Sequence, residues 1–171
     1  MILQRLNEFL LDRISNTING IRHLYIKKKY SILLDSYTDD GTLFRINEIL
    51  NKLEYKPDPF NYHKDPSLTV HDNGGDCEDY ARLATDLLCK MGRKAFTVIA
   101  YGGEGHAFSC LLSNDIYRFI DTTSAKNPEE SNYKYNSIQE MLDKRLPTWK
   151  HYVIRNNAWK VTGITIREDC Q

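Results

Sequence analysis

The chain has no excess of either charge. Its 171 residues include 23 Lys and Arg against 23 Asp and Glu, for a formal net charge of zero, and Lys27-Lys28-Lys29 is its only lysine or arginine block. A protein that grips nucleic acid or an anionic membrane needs a basic stripe, so neither partner is expected. Cysteine is scarce: Cys77, Cys89, Cys110 and Cys170 are scattered, with no C-x-x-C pair, which excludes a zinc ribbon or a small disulfide scaffold and predicts free thiols. No run approaches the ~18 apolar residues of a membrane span. The opening Met1-Ile2-Leu3-Gln4-Arg5-Leu6 lacks the basic and apolar regions of an export signal, so the expected setting is cytoplasmic. Repeats and low-complexity tracts are also missing. A domain of this length buries roughly 70% of its unfolded surface and needs no covalent staples.

What is present reads as one domain over residues 1–171: a helical extension to residue 42, a core over 43–125 and a closing helix and strands over 126–171. Ile2, Leu3, Leu6, Phe9, Leu10 and Ile14 recur at three- and four-residue intervals, predicting an amphipathic helix over 2–14. A second helix, capped by Thr42, carries Leu43, Ile46, Ile49, Leu50 and Leu53 on one side. Lys56 to Gly75, rich in Pro, Asp, Asn and Gly, reads as an irregular surface loop. From Cys77 the apolar positions Tyr80, Ala81, Ala84, Leu87, Leu88 and Met91 keep helical spacing until Gly92. Three β-type runs follow, Ala95–Tyr101, His106–Leu112 and Ile116–Asp121, with connections short enough to make them antiparallel neighbours. A short helix is predicted over Ser137–Lys144, then two strands, Trp149–Ile154 and Ala158–Ile166, joined at Asn156-Asn157.

The chemistry concentrates at Gly74-Gly75-Asp76-Cys77-Glu78-Asp79. Paired glycines allow a sharp turn and close approach, Asp76 can cap the helix, and Cys77 falls in the first turn, where unpaired N–H groups and the macrodipole favour a thiolate. His106 opens a strand after a glycine-rich turn, and Asp121 closes the next strand. On antiparallel neighbours these positions lie side by side, so Cys77, His106 and Asp121 can serve as nucleophile, base and orienting carboxylate. The Cys77 amide is one natural oxyanion donor, with Asn61 or Tyr62 from the upstream loop as the second. Asp76, Glu78 and Asp79 surround a group that must become anionic, and like charges disfavour that; as a cap and first-turn acids they suit the helix dipole. Cys110 reads as core, His63 and His71 as surface residues or lining of the cleft, and Trp149, Tyr152 and Trp159 as core and edge aromatics of the final strands.

The segments Gly75-Asp76-Cys77-Glu78-Asp79-Tyr80-Ala81, Gly105-His106-Ala107-Phe108 and Tyr117-Arg118-Phe119-Ile120-Asp121-Thr122-Thr123 resemble, in order, the three motifs of the transglutaminase-like superfamily, most closely the bacterial transglutaminase-like cysteine peptidases. The resemblance covers residues 43–125 or so. It implies a papain-like α+β fold, with a nucleophile helix on an antiparallel sheet of about four to five strands and extra N-terminal helices. Cys77, His106 and Asp121 would be its triad, cleaving or transferring amide bonds of a protein or peptide substrate through a thioester, with no cofactor required. The family includes calcium-dependent proteases whose acids beside the cysteine are ligands; Asp76 and Glu78 match those positions. A second reading keeps the fold as a non-enzymatic scaffold or docking protein, for instance in a phage particle, where the chain would be virion-associated. The amphipathic N-terminus would then be its contact with a partner.

Overall fold

The computed structural model describes residues 39–57, 63–103 and 105–167, all within one unit, Asp35–Gln171. The helix expected over 2–14 and the candidate donors Asn61 and Tyr62 lie outside the described residues.

The first described helix, α1 (Asp39–Leu50), buries Leu43, Ile46, Ile49 and Leu50 on one face, as the periodicity demands. It begins upstream of Thr42, which is fully buried within it rather than capping it. It also stops before Leu53, because its end tightens into 3₁₀-type turns such as Leu53 N–H to Leu50 O at 3.0 Å.

The stretch expected to be an irregular loop holds local order. Strand β1 (Glu54–Tyr55) pairs in parallel with β2 (Gly74–Gly75), and helix α2 (Pro66–His71) lies between them in sequence. Pro66, which reads as a breaker, stands at the first helical position, where a missing N–H costs nothing, and the Asp65 carboxylate accepts from Ser67 N–H at 3.0 Å.

Helix α3 (Cys77–Lys90) follows β2 directly. Asp76 Oδ1 accepts from Glu78 N–H and Asp79 N–H at 3.0 and 3.2 Å, and Asp79 Oδ2 accepts from Asp76 N–H at 3.3 Å, a reciprocal capping box. At the other end Gly92 adopts φ +72°, which lets Arg93 N–H close on Leu88 O at 2.9 Å.

Five antiparallel strands form the sheet: β3 (Ala95–Tyr101), β4 (His106–Ser113), β5 (Ile116–Ile120), β6 (His151–Arg155) and β7 (Val161–Ile166), in the order β5-β4-β3-β6-β7. Asn114 and Asp115, at φ +50° and +60°, make the tight β4–β5 hairpin. Between β5 and the predicted helix, now α5 (Ile138–Arg145), the chain adds α4 (Thr122–Lys126) and a 3₁₀ turn (Pro128–Asn132) that the sequence pattern did not reveal. Strands β6 and β7 both start later than expected. Trp149 is buried in the core before β6, and Trp159, at φ +61°, belongs to the turn before β7.

Strand alternation divides the core. On one face Ile99 and Ala107 meet Ala81 of α3, and the buried hydroxyl of Thr85 bonds those of Thr97 and Ser109 at 2.9 and 2.8 Å, pinning α3 to β3 and β4. On the other, Val98, Phe108, Cys110 and Phe119 pack with Met141 and Leu142 of α5 and with Trp149. Each side buries a continuous apolar layer, and Cys77, at the start of α3, projects beside the open end of β4.

Candidate active site

Placement of Cys77 begins with the glycines before it. Gly74 sits at φ +154° against β1, where a Cβ would collide with Glu54 O, and a Cβ on Gly75 would collide with the Asp79 carboxylate. Only glycines allow this close approach. The chain therefore enters α3 with Cys77 in its first turn, half-buried and resting on the patch made by Ala81, Ile99 and Ala107.

His106 and Asp121 come together as the strand order predicts. Ser109 pairs with Ile120, and beyond that rung His106 Nε2 lies 2.9 Å from Asp121 Oδ2, a carboxylate that is 3% exposed. Cys77 is close enough to the imidazole to act on its protonation, and the Asp121 contact through Nε2 leaves Nδ1 for the thiol. Burial works to lower the imidazole pKa, but the Asp121 hydrogen bond, the Cys77 hydrogen bond and the negative charge of both partners outweigh it and raise the value to about 9. Burial pushes the thiols of Cys89 and Cys110 up. Cys77, Cys89 and Cys110 are free thiols, as expected.

The acids beside Cys77 each have a protein partner. Asp79 Oδ1 accepts from Lys64 N–H at 2.7 Å, and Lys64 Nζ donates to Gly74 O at 3.2 Å, tying the upstream segment to the helix start. Burial raises the Asp79 pKa, against the lowering effect of the Lys64 amide. Glu78 faces His63 Nδ1. Burial, then the charge of Asp76, raises Glu78 to about 7, with Arg155 acting against them. His63, which the sequence leaves as a surface or cleft-lining residue, is half-buried, its ring 5.3 Å from that of Trp159. Arg82 and Arg155 lie over the Trp159 ring at 5.0 and 5.1 Å. Arg155 also donates to Trp159 O at 2.8 Å, holding the backbone of this tryptophan in its left-handed conformation. His71 is exposed, as expected.

This arrangement bears on calcium, which takes about six to eight oxygens. Among the described residues no three His, Cys, Asp or Glu side chains gather to hold a metal ion. Asp76 Oδ1 is committed to the helix cap, and Glu78 has an imidazole and a guanidinium for neighbours. The described side chains thus fall short of a calcium cage.

Two neighbours of these residues were given no role in the site by the sequence. Tyr55, opposite Gly75 in the β1–β2 pair, lies within the electrostatic reach of Cys77: burial, then Cys77 and Asp76, raise its phenol pKa. Arg145, at the end of α5, places Nη2 2.7 Å from Glu130 and 3.9 Å from Asp121, with its guanidinium 3.6 Å from the centre of the Phe119 ring. No local motif marks Arg145, and Tyr55, though part of the approach to the cysteine over residues 55–59, comes beside Cys77 only through pairing of β1 with β2.

No family model matches the sequence, and no curated protein matches it. Among solved structures the chain is similar to LapG of Legionella pneumophila, at 17% identity and a TM-score of 0.53 over 79% of this chain and 72% of that one. The calcium-bound form of LapG gives 18% identity and a TM-score of 0.52 over 82% and 87%. The α+β architecture of this chain, with the Cys77-bearing helix α3 and a five-stranded antiparallel sheet, is therefore the transglutaminase-like, papain-like fold.

Proposed function

We propose that the protein is a cysteine-dependent hydrolase acting on amide bonds of proteins or peptides, with Cys77 as nucleophile, His106 as general base and acid, and Asp121 as the carboxylate that orients the imidazole. The observation that carries this is the chain of contacts from Cys77 through His106 to a buried Asp121 at 2.9 Å. Similarity of the fold to a cysteine protease supports it.

In this mechanism the Cys77 proton passes to His106 Nδ1 and the sulfur attacks the amide carbon, forming the C–S bond and moving the C=O electron pair onto oxygen. The Cys77 amide, one of the donors a helix leaves unpaired at its start, faces that oxyanion; Asn61 and Tyr62 are the proposed second donors. Collapse of the intermediate breaks the C–N bond, and His106 returns its proton to the departing amine. Water activated by the neutral imidazole then hydrolyses the thioester and restores the thiol. A lysine amine in place of water gives acyl transfer, which product analysis distinguishes.

Calcium is the cofactor that the LapG comparison raises. Asp76 and Glu78 are the positions that would hold it, but with Asp76 Oδ1 in the helix cap and Glu78 facing His63 they fall short of its coordination, and no step is assigned to it.

The test is the alkylation rate of each cysteine against pH, read by mass spectrometry in the wild type and in His106→Ala. Cys77 should react faster than Cys89 and Cys110 below pH 8 and lose that advantage without His106. A Cys77 as inert as the other thiols in both proteins would return the fold to its scaffold reading.

A further inference from the structure

A cavity of about 610 Å³ opens beside His106 and Asp121, within the roughly 300–1,000 Å³ of ligand pockets. It lies on the α5 side of the sheet. Its walls are mainly apolar, made by Phe108, Phe119, Met141, Leu142 and Leu146, with Arg145 the cation among them. Its rim is built to stay in place: Gly102 and Gly103, both at positive φ, pack so tightly on Thr148 that a Cβ at Gly103 would collide with its side chain and one at Gly102 would stand 2.7 Å from its carbonyl oxygen.

Charge decides what such a cavity accepts. Arg145 is matched within the protein: one carboxylate at 2.7 Å, a second at 3.9 Å and an aromatic face at 3.6 Å. An acidic side chain entering here would join the two carboxylates of Glu130 and Asp121, and a basic one would meet Arg145 and the imidazolium of His106. An uncharged apolar side chain meets neither penalty and gains the burial of its surface, roughly 25 cal/mol per Å².

We propose that this cavity is the specificity pocket of the Cys77 site and receives a bulky apolar side chain, of leucine to phenylalanine size, from a residue flanking the scissile bond of a peptide substrate. The proposal rests on the catalytic reading above, since His106 both lines the cavity and contacts Cys77.

Peptidyl chloromethyl ketones test it without a known substrate. The Cys77 sulfur displaces chloride, a C–S bond replaces C–Cl, and labelling is read by mass spectrometry. The residue bearing the ketone and the one before it are varied in turn among Gly, Asp, Lys, Leu and Phe, in the wild type and in Leu146→Phe, which narrows the pocket at a partly buried wall. Iodoacetamide, too small to use the pocket, serves as the control, and Leu146→Ala, which enlarges the pocket, as the second variant. At one position Leu and Phe probes should label at least about tenfold faster than Gly, Asp and Lys probes, the discrimination a hydrophobic pocket supports. Leu146→Phe should erase the advantage of Phe and Leu146→Ala should keep it, each probe rate being taken relative to the same variant's own iodoacetamide rate. Equal labelling by all probes while iodoacetamide reacts normally overturns the pocket alone. Fastest labelling by Asp probes overturns it in favour of Arg145 as a carboxylate anchor. Failure of iodoacetamide to favour Cys77 over Cys89 and Cys110 overturns the catalytic reading and the pocket with it.

Discussion

His106 Nε2 and Asp121 Oδ2 stand 2.9 Å apart across the β4–β5 hairpin, with the carboxylate buried and Arg145 3.9 Å from the same oxygen. Asp121→Asn keeps the shape and removes the charge. The imidazole then loses its strongest support against burial, and its pKa should fall from about 9 toward or below the ordinary 6.5, as read by NMR titration of the His106 ring. Amide hydrolysis should fall by about 10²–10⁴-fold.

The same raised value links stability to pH. The folded protein holds the His106 proton more tightly than the unfolded chain, so the stabilisation is complete below about pH 6.5 and is lost as pH rises through about 9. Urea unfolding of the wild type should show stability declining across that window. The part of the slope due to His106 should shrink in Asp121→Asn.

Glu78 titrates with the opposite chemistry and the same slope. Its folded pKa of about 7 exceeds the unfolded 4.5, so the neutral acid is the form the site favours, and this contribution is present below pH 4.5 and lost as pH rises through 7. Glu78→Gln holds the side chain neutral at every pH. At pH 8 the variant should exceed the wild type in unfolding free energy by on the order of 1 kcal/mol, and at pH 4.5 the two should converge.

Gly75 and Gly92 separate steric from conformational demands. A Cβ on Gly75 has no room beside Asp79, whereas one on Gly92 meets nothing within 4 Å and faces only the cost of φ +72°. Gly92→Ala should lose about 1 kcal/mol in urea unfolding. Gly75→Ala should lose several times more and slow Cys77 alkylation, because the helix start must shift.

The described acids form no metal cage, and their partners act on them without an ion. Addition of calcium or of EGTA to the full chain should therefore leave the melting temperature and the Cys77 alkylation rate unchanged. A rise of several degrees with calcium, abolished in Asp76→Asn, would place the ion at Asp76 and Glu78.

Much of the fold was legible because its signals are local. Alternation marked β3, β4 and β5, a reciprocal cap and a glycine stop marked α3, and short connections made the strands antiparallel, which was enough to set His106 beside Asp121. Where a residue's role depended on neighbours, the same sequence misled. Pro66 signals a break and yet starts a helix, because Asp65 caps it; Thr42 has the chemistry of a cap and yet is buried inside α1; Trp159 reads as part of a strand and yet occupies a left-handed turn.

The sequence by itself determined which residues could do chemistry and the order in which they occur: a cysteine at a helix start, a histidine at a strand start and an aspartate at the next strand's end. Backbone hydrogen bonding and side-chain periodicity specify such positions within a few residues of chain. Tertiary structure decided what surrounds them. Arg145 reaches Asp121 from a helix two elements further along, His63 meets Glu78 from the upstream segment, and the pocket wall joins β4 and β5 to α5. Those contacts depend on long-range packing, in which burial and Coulomb energy act between residues that share no local pattern.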